Sequence, residues 1–204
     1  MLFDWDGTLC DSGAALYRAF CKVLAEFGVT FSLADYQAVY TPAWYRMYEA
    51  FGLPRESWRL ADQRWLHHYD GEEPGLLPGA GGVLGRCRAG GLQVGIVTGA
   101  NRGRIDREFQ RLGLTFRAIV CHEDVVHRKP HPEGIEKALA LLKADAGSCC
   151  FVGDAPEDIE MGKSARVFTI GVVSEYVTRS RMEAAAPDLL IESIGELPAV
   201  LTLR

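Results

Sequence analysis

The chain has 204 residues, 48% apolar and 24% charged, which suits a folded protein with one sizeable core, or a core carrying a small insert. A formal net charge of -5 argues against a nucleic-acid partner, which wants a basic face. No apolar run is long enough to span a bilayer, and no basic stretch leads into an apolar one as a secretory signal would. The chain opens on Phe3-Asp4-Trp5-Asp6-Gly7-Thr8-Leu9, an apolar lead-in followed by two carboxylates two residues apart. If Leu2 and Phe3 close a strand, Asp4 sits at its carboxyl end, Trp5 points away, and Asp6 returns to the side of Asp4 in the turn. Gly7 allows backbone conformations that other residues resist. Only Met1, Leu2 and Phe3 precede Asp4, against about five residues for a usual central strand, which leaves room for native residues missing ahead of Met1.

Asp11, Ser12 and Gly13 break this pattern. Leu16, Phe20, Val23, Leu24 and Phe27 then recur at helical spacing, and Gly28 stops the helix. Ser32, with Asp35 three residues on, reads as a helix start. Residues 33–51 and 55–69 read as helical, aromatic-rich segments. Trp58 and Trp65, seven apart, are expected on one packing face. Gly71-Glu72-Glu73-Pro74-Gly75 is the clearest linker. Residues 14–77 therefore read as an all-helical insert, with 1–13 and 78–204 forming the main domain.

Beyond the linker, strands and helices alternate. Strands are expected at Leu92–Thr98, Ala118–Cys121, Cys149–Val152, Val167–Val173 and Leu189–Ile191. Helices are expected at Arg102–Leu112, closed by Gly113, at Pro132–Leu142, and at Pro156–Ala165. This alternation implies an α/β fold with a doubly wound parallel sheet. The six cysteines form no CxxC pair and read as small buried hydrophobes, so a reducing cytoplasm is the expected compartment.

Four of these strands end in, or lead to, polar residues: Asp4 and Asp6, Thr98, Lys129, and Asp154 with Asp158. A doubly wound sheet puts all its carboxyl ends on one edge, so these groups can converge. Two adjacent carboxylates can divide nucleophilic and proton-carrying roles. Asp4, Asp154 and the backbone carbonyl of Asp6 offer oxygen ligands to Mg²⁺. Thr98 and the backbone N–H of Gly99 can donate to phosphate oxygens, and Lys129 adds a fixed positive charge. Arg18, Arg46 and Asn101 are candidates for gripping the far end of a substrate. His67, His68, His122 and His127 read as surface or loop residues, and His131 as a helix-start residue.

The segments Phe3 to Leu9, Val97-Thr98-Gly99, Arg128-Lys129-Pro130 and Val152-Gly153-Asp154-Ala155-Pro156-Glu157-Asp158 resemble the four ordered motifs of the haloacid dehalogenase superfamily. The likeness spans the whole chain and extends to a helical cap inserted after the first motif, as in phosphoglycolate-phosphatase-like members. It implies that Asp4 attacks phosphorus and that Asp6 protonates the leaving alcohol and then activates water. It also implies that Asp154 binds Mg²⁺ and that Asp158 orients a metal-bound water or Lys129. An acid two residues beyond the nucleophile marks phosphotransfer, so Asp6 argues against halide expulsion. The expected activity is Mg²⁺-dependent hydrolysis of a small phosphorylated metabolite. A sugar phosphomutase and a non-catalytic binding protein are the alternatives. Where relatives often have Ala-Gly after the fourth motif's helix, this chain has Ala165-Arg166. Neither the substrate nor the oligomeric state is legible.

Overall fold

The computed structural model describes residues 1–201. Six parallel strands form one sheet: β1 (Leu2–Phe3), β2 (Gly95–Val97), β3 (Ala118–Val120), β4 (Cys150–Gly153), β5 (Phe168–Val172) and β6 (Leu189–Ile191). They lie in the order β3-β2-β1-β4-β5-β6. The winding reverses between β1 and β4, where Leu2 pairs with Phe151 and Phe3 with Val152. In such sheets the crevice at the reversal, outside the carboxyl ends, is where ligands bind.

Alternating strand residues feed two cores, as the period of two demands. Phe3, Ile96 and Val152 face one side, packed with α5 (Ala80–Ala89) and α6 (Arg102–Leu112). Leu2, Val97 and Phe151 face the other, against α7 (Glu133–Leu142) and α8 (Pro156–Ser164). Helices α9 (Arg179–Ala185) and α10 (Leu197–Val200) complete the main body. The expected strands and helices are all present, with ends moved by up to three residues. Pro132 precedes α7 as its cap instead of joining its first turn.

Between β1 and α5 lie four helices: α1 (Gly13–Glu26), α2 (Leu33–Val39), α3 (Trp44–Ala50) and α4 (Trp58–Tyr69). They surround a separate core of Phe20, Val23, Leu24, Tyr36, Met47, Tyr48 and Leu53, joined by Tyr176 from the main body. Trp58 and Trp65 pack against that core. The Ser32–Asp35 capping box opens α2 as expected. The helical segment expected over 33–51 forms as two helices with a break between them. Pro42 lacks an N–H and bars the helical conformation at its predecessor, so the chain is extended from Tyr40 (ψ 130°) and restarts at Trp44. No helix among the described residues is long and apolar enough to cross a membrane. All six cysteines are free, four of them buried.

Candidate active site

Asp4 leaves β1 at the reversal, its N–H donating to the Val152 carbonyl at 2.8 Å, so both acidic strand ends are fixed by the sheet. Gly7 makes the turn beyond it with φ +74°. A Cβ there would lie 2.3 Å from Asp154 Oδ2, so the position needs glycine for space as well as for conformation. Thr8 Oγ1 donates to Asp154 Oδ1 at 3.1 Å. Asp158, in the first turn of α8, accepts from the Ala155 N–H at 3.1 Å.

Lys129 is the pivot of the cluster. Its Nζ stands 2.7 Å from Asp4 Oδ1 and 2.7 Å from Asp158 Oδ1, with all three side chains buried. The angles fall outside hydrogen-bond geometry, so these are ion pairs by proximity. Carboxylate oxygens of Asp4, Asp154 and Asp158 come within 4.8 Å of one another. Burial pushes the Asp4 carboxyl up to about 7, with Lys129 pulling the other way and Asp158 adding to the rise. Burial first, then Asp4 and Asp158, hold Asp154 well above the ordinary carboxylate range. For Lys129, burial alone would lower the pKa, but Asp158 and Asp4 outweigh it and keep the ammonium charged. Three buried carboxylates against one ammonium leave negative charge uncompensated. An all-oxygen donor set of this kind fits a hard divalent cation.

The remaining candidates divide. Thr98 is buried just beyond the end of β2, its Oγ1 accepting from the Ala100 N–H at 3.1 Å, and Thr98, Gly99 and Asn101 line one cavity with Asp4 and Asp6. Arg18 and Arg46 do not line it. Arg18 pairs with Glu72 at 2.5 Å and binds the linker, and Arg46 is exposed. The structure thus does not bring either of them to the cavity with Thr98, Gly99 and Asn101. The Asp6 side chain lies outside the carboxylate cluster. It is clamped in a two-pronged ion pair by Arg104, and accepts from Ser12 Oγ at 2.6 Å.

Arg104, Ser12, His122 and Asp62 are site residues that sequence reasoning missed. Arg104 is buried and stands 3.7 Å from Glu108, which accepts from Trp5 Nε1 at 2.6 Å and Tyr69 OH at 3.0 Å. Only burial in three dimensions marks Arg104 out from the other arginines of α6. His122, read as a loop residue, lines the cavity edge-on to Trp44 at 5.1 Å. His131 keeps its helix-start role, accepting from the Glu133 N–H at 3.2 Å. It also gathers with His127 and Glu133 into an exposed cluster, a grouping the sequence reading did not foresee.

An open parallel sheet with buried carboxylates, a lysine and a hydroxyl at its reversal point, under a helical cover, defines a doubly wound α/β protein with an acidic site at the strand ends. The haloacid dehalogenase-like hydrolase family model matches residues 1–172, and the chain belongs to that family. It is similar to the pyrophosphatase PpaX of Anoxybacillus flavithermus, at 29% identity over 98% of this chain and 95% of that one. Among solved structures it resembles CbbY from Rhodobacter sphaeroides in complex with phosphate, with TM-score 0.79, 22% identity, and 96% and 94% of the two chains covered. A β-phosphoglucomutase from Clostridium difficile superposes with TM-score 0.79 at 18% identity, covering 99% of this chain and 95% of that one. At these identities the two structures speak for the fold.

Proposed function

We propose that the protein is a Mg²⁺-dependent phosphatase of the phosphoglycolate-phosphatase-like type, hydrolysing a small phosphate monoester through an aspartyl-phosphate. The carrying observation is Asp4 at the sheet reversal with Lys129 at 2.7 Å and Thr98 lining the same cavity. An Asp4 oxygen attacks phosphorus, the bond to the alcohol oxygen breaks, and Asp6, protonated and turned out of its ion pair with Arg104, delivers its proton to that oxygen. Water then gives its proton to Asp6 and attacks phosphorus, which frees Asp4 and releases inorganic phosphate. Lys129, Thr98 Oγ1 and the Gly99 N–H hold the phosphoryl oxygens, and Asp158 positions Lys129. Asp4, Asp154 and the Asp6 backbone carbonyl would hold Mg²⁺, which supplies positive charge against the transferring phosphoryl group. Residues 14–77 are the cap, which excludes bulk water over the site.

The test is Asp4→Asn. Turnover is expected to fall by about 10⁴-fold or more with the circular dichroism spectrum unchanged. Acid-quenched wild type should yield a phosphorylated peptide containing Asp4, and excess chelator should abolish activity. Near wild-type turnover in folded Asp4→Asn would overturn the mechanism. Release of inorganic phosphate in step with free alcohol distinguishes hydrolysis from the return of phosphate to a sugar.

A further inference from the structure

The cavity above Asp4 and Asp6 has a volume of about 160 Å³. Its far wall is built by the helices α1 to α4 and is mostly apolar and aromatic, with Leu16, Phe20, Trp44, Met47, Trp65 and Leu66 among its residues, and Tyr36, Tyr40 and Thr41 among its neutral polar groups. That volume is close to the ~150 Å³ of engineered apolar cavities that bind benzene. The wall's charged groups decide what else can enter.

Asp62 lines the chamber, and its carboxylate already accepts from Trp44 Nε1 at 2.9 Å, Tyr45 OH at 2.9 Å and Tyr48 OH at 3.2 Å. Arg104 is the one arginine or lysine lining this chamber among the described residues, and it is engaged by Asp6 with Glu108 beside it. Taken together, Arg104, Asp6 and Glu108 bring two carboxylates against one guanidinium. His122 also lines the chamber, but burial and then the neighbouring Arg128 push its pKa down, towards the neutral ring. Arg128 does not line this chamber. Its guanidinium lies 4.7 Å from both the Trp44 and Tyr45 rings.

A carboxylate or a second phosphate on the substrate would lose its water in this chamber and meet aromatic faces and Asp62 without a free cation. A sugar would have to bury most of its carbon-bound hydroxyls against the aromatic and aliphatic faces of Leu16, Phe20, Met47, Trp65 and Leu66. An aromatic or aliphatic ring loses only unfavourable hydration there. We infer that, granted the phosphatase reading above, the leaving alcohol is an apolar, ring-sized group with no anionic substituent, such as an arylalkyl alcohol. Any hydrogen-bond donor at its far end would meet Asp62.

The experiment measures kcat/KM for inorganic phosphate release from 2-phenylethyl phosphate, 2-phosphoglycolate, pyrophosphate and glucose 6-phosphate, with Mg²⁺ present. The phenylethyl ester is expected to exceed each of the others by about tenfold or more, the scale on which apolar pockets discriminate. A second arm uses Leu66→Arg, which places a cation at a wall position that is 40% exposed and so tolerates a charge. This variant should shift the ratio of 2-phosphoglycolate to 2-phenylethyl phosphate turnover by about tenfold towards the acid. Equal or greater turnover of 2-phosphoglycolate or pyrophosphate by the wild type would overturn the inference while leaving the phosphatase reading in place. Failure to hydrolyse any of the three esters or pyrophosphate would overturn the phosphatase reading itself, and the inference with it.

Discussion

Asp6 and Arg104 are 98 positions apart in the chain and meet as a two-pronged ion pair at the wall of the site. The pair holds Asp6 by geometry rather than by charge alone, because a planar guanidinium fixes both carboxylate oxygens. Ser12 takes one of the same oxygens at 2.6 Å, and the Arg104 guanidinium lies 4.8 Å from the Tyr69 ring of α4. Arg104→Met should therefore leave Asp6 and Glu108 buried without their counter-charge, at a cost of about 3–5 kcal/mol in unfolding free energy. Adding Glu108→Gln should recover part of that loss, and kcat should fall more than KM rises because Asp6 is no longer positioned. An Arg104→Met protein with unchanged denaturation midpoint and kcat would show the pair to be incidental. Asp4 supports a second expectation. In metal-free protein its carboxyl titrates at about 7, against 3.8 when exposed, so the folded chain holds the extra proton between those values and stability falls as pH rises through them. Glu133, Asp35 and Asp188 are held low and act in the opposite sense, but their contributions are lost only as pH falls below the ordinary carboxylate range. Melting temperature without metal should thus decline between about pH 5 and 7, and Mg²⁺ should remove the decline by taking the place of the proton. A metal-free profile that is flat or rising over that range would contradict the charge cluster described here.

Local signals decided most of the elements. Gly113 ends α6 in the left-handed conformation, Ser32 and Asp35 open α2, and apolar runs bounded by turns locate the strands. These were legible because each depends on neighbours in sequence. The break at Tyr40 to Ala43 was also written in the chain, as Pro42, but the aromatic run around it carries helical spacing and conceals the interruption. That break matters for function, since Thr41 and Pro42 descend to line the cavity and Thr41 hydrogen-bonds Glu157 of the main body. The close of α8 was legible in a different way. Arg166 stands where a glycine is the easier residue, and it takes φ +59° while its N–H donates to the Lys163 carbonyl at 3.0 Å. A side chain in that conformation costs about 1 kcal/mol, and Arg166 is exposed, with no contact that recovers it. Arg166→Gly is expected to raise stability by about 0.5–1 kcal/mol, less whatever the freer unfolded chain removes, with activity unaltered. Chemical denaturation of both proteins at equal slope measures it, and a destabilised variant would mean that the arginine makes a contact in solution that offsets its strain.

At the scale of the whole molecule, the sheet edge and its acidic residues could be anticipated because a parallel sheet obliges all strand ends to share one side. The joint between the two bodies could not, since it is made of pairings remote in sequence. Tyr176 of the main body is buried in the core of the four-helix cover, and Gln37 Nε2 donates to the Glu175 carbonyl at 3.0 Å. Arg181 of α9 donates to the carbonyls of Gln37 at 3.4 Å and Tyr40 at 2.9 Å. The connecting strands also lie together: the Asp11 N–H meets the Gly75 carbonyl at 2.9 Å, and the Leu77 N–H meets the Leu9 carbonyl at 2.9 Å. The cover is thus held both by these bonds and by its paired connections, and the connections at residues 11–13 and 71–75 are where it would turn. Opening must break the Arg181 and Gln37 bonds, which are partly exposed, and the buried Thr41–Glu157 and Tyr69–Glu108 bonds, while keeping the paired connections. Arg181→Ala removes two of those bonds without touching the catalytic cluster. It should increase the rate of limited proteolysis at 71–75 by several-fold, because cleavage follows the population of the open form. A phosphate analogue such as vanadate, binding the closed arrangement, should slow cleavage of both proteins and narrow the difference between them. If Arg181→Ala were cut no faster than wild type, the cover would be held by the Tyr176 packing and not by these bonds. Tyr176→Ala would then be the variant that opens it.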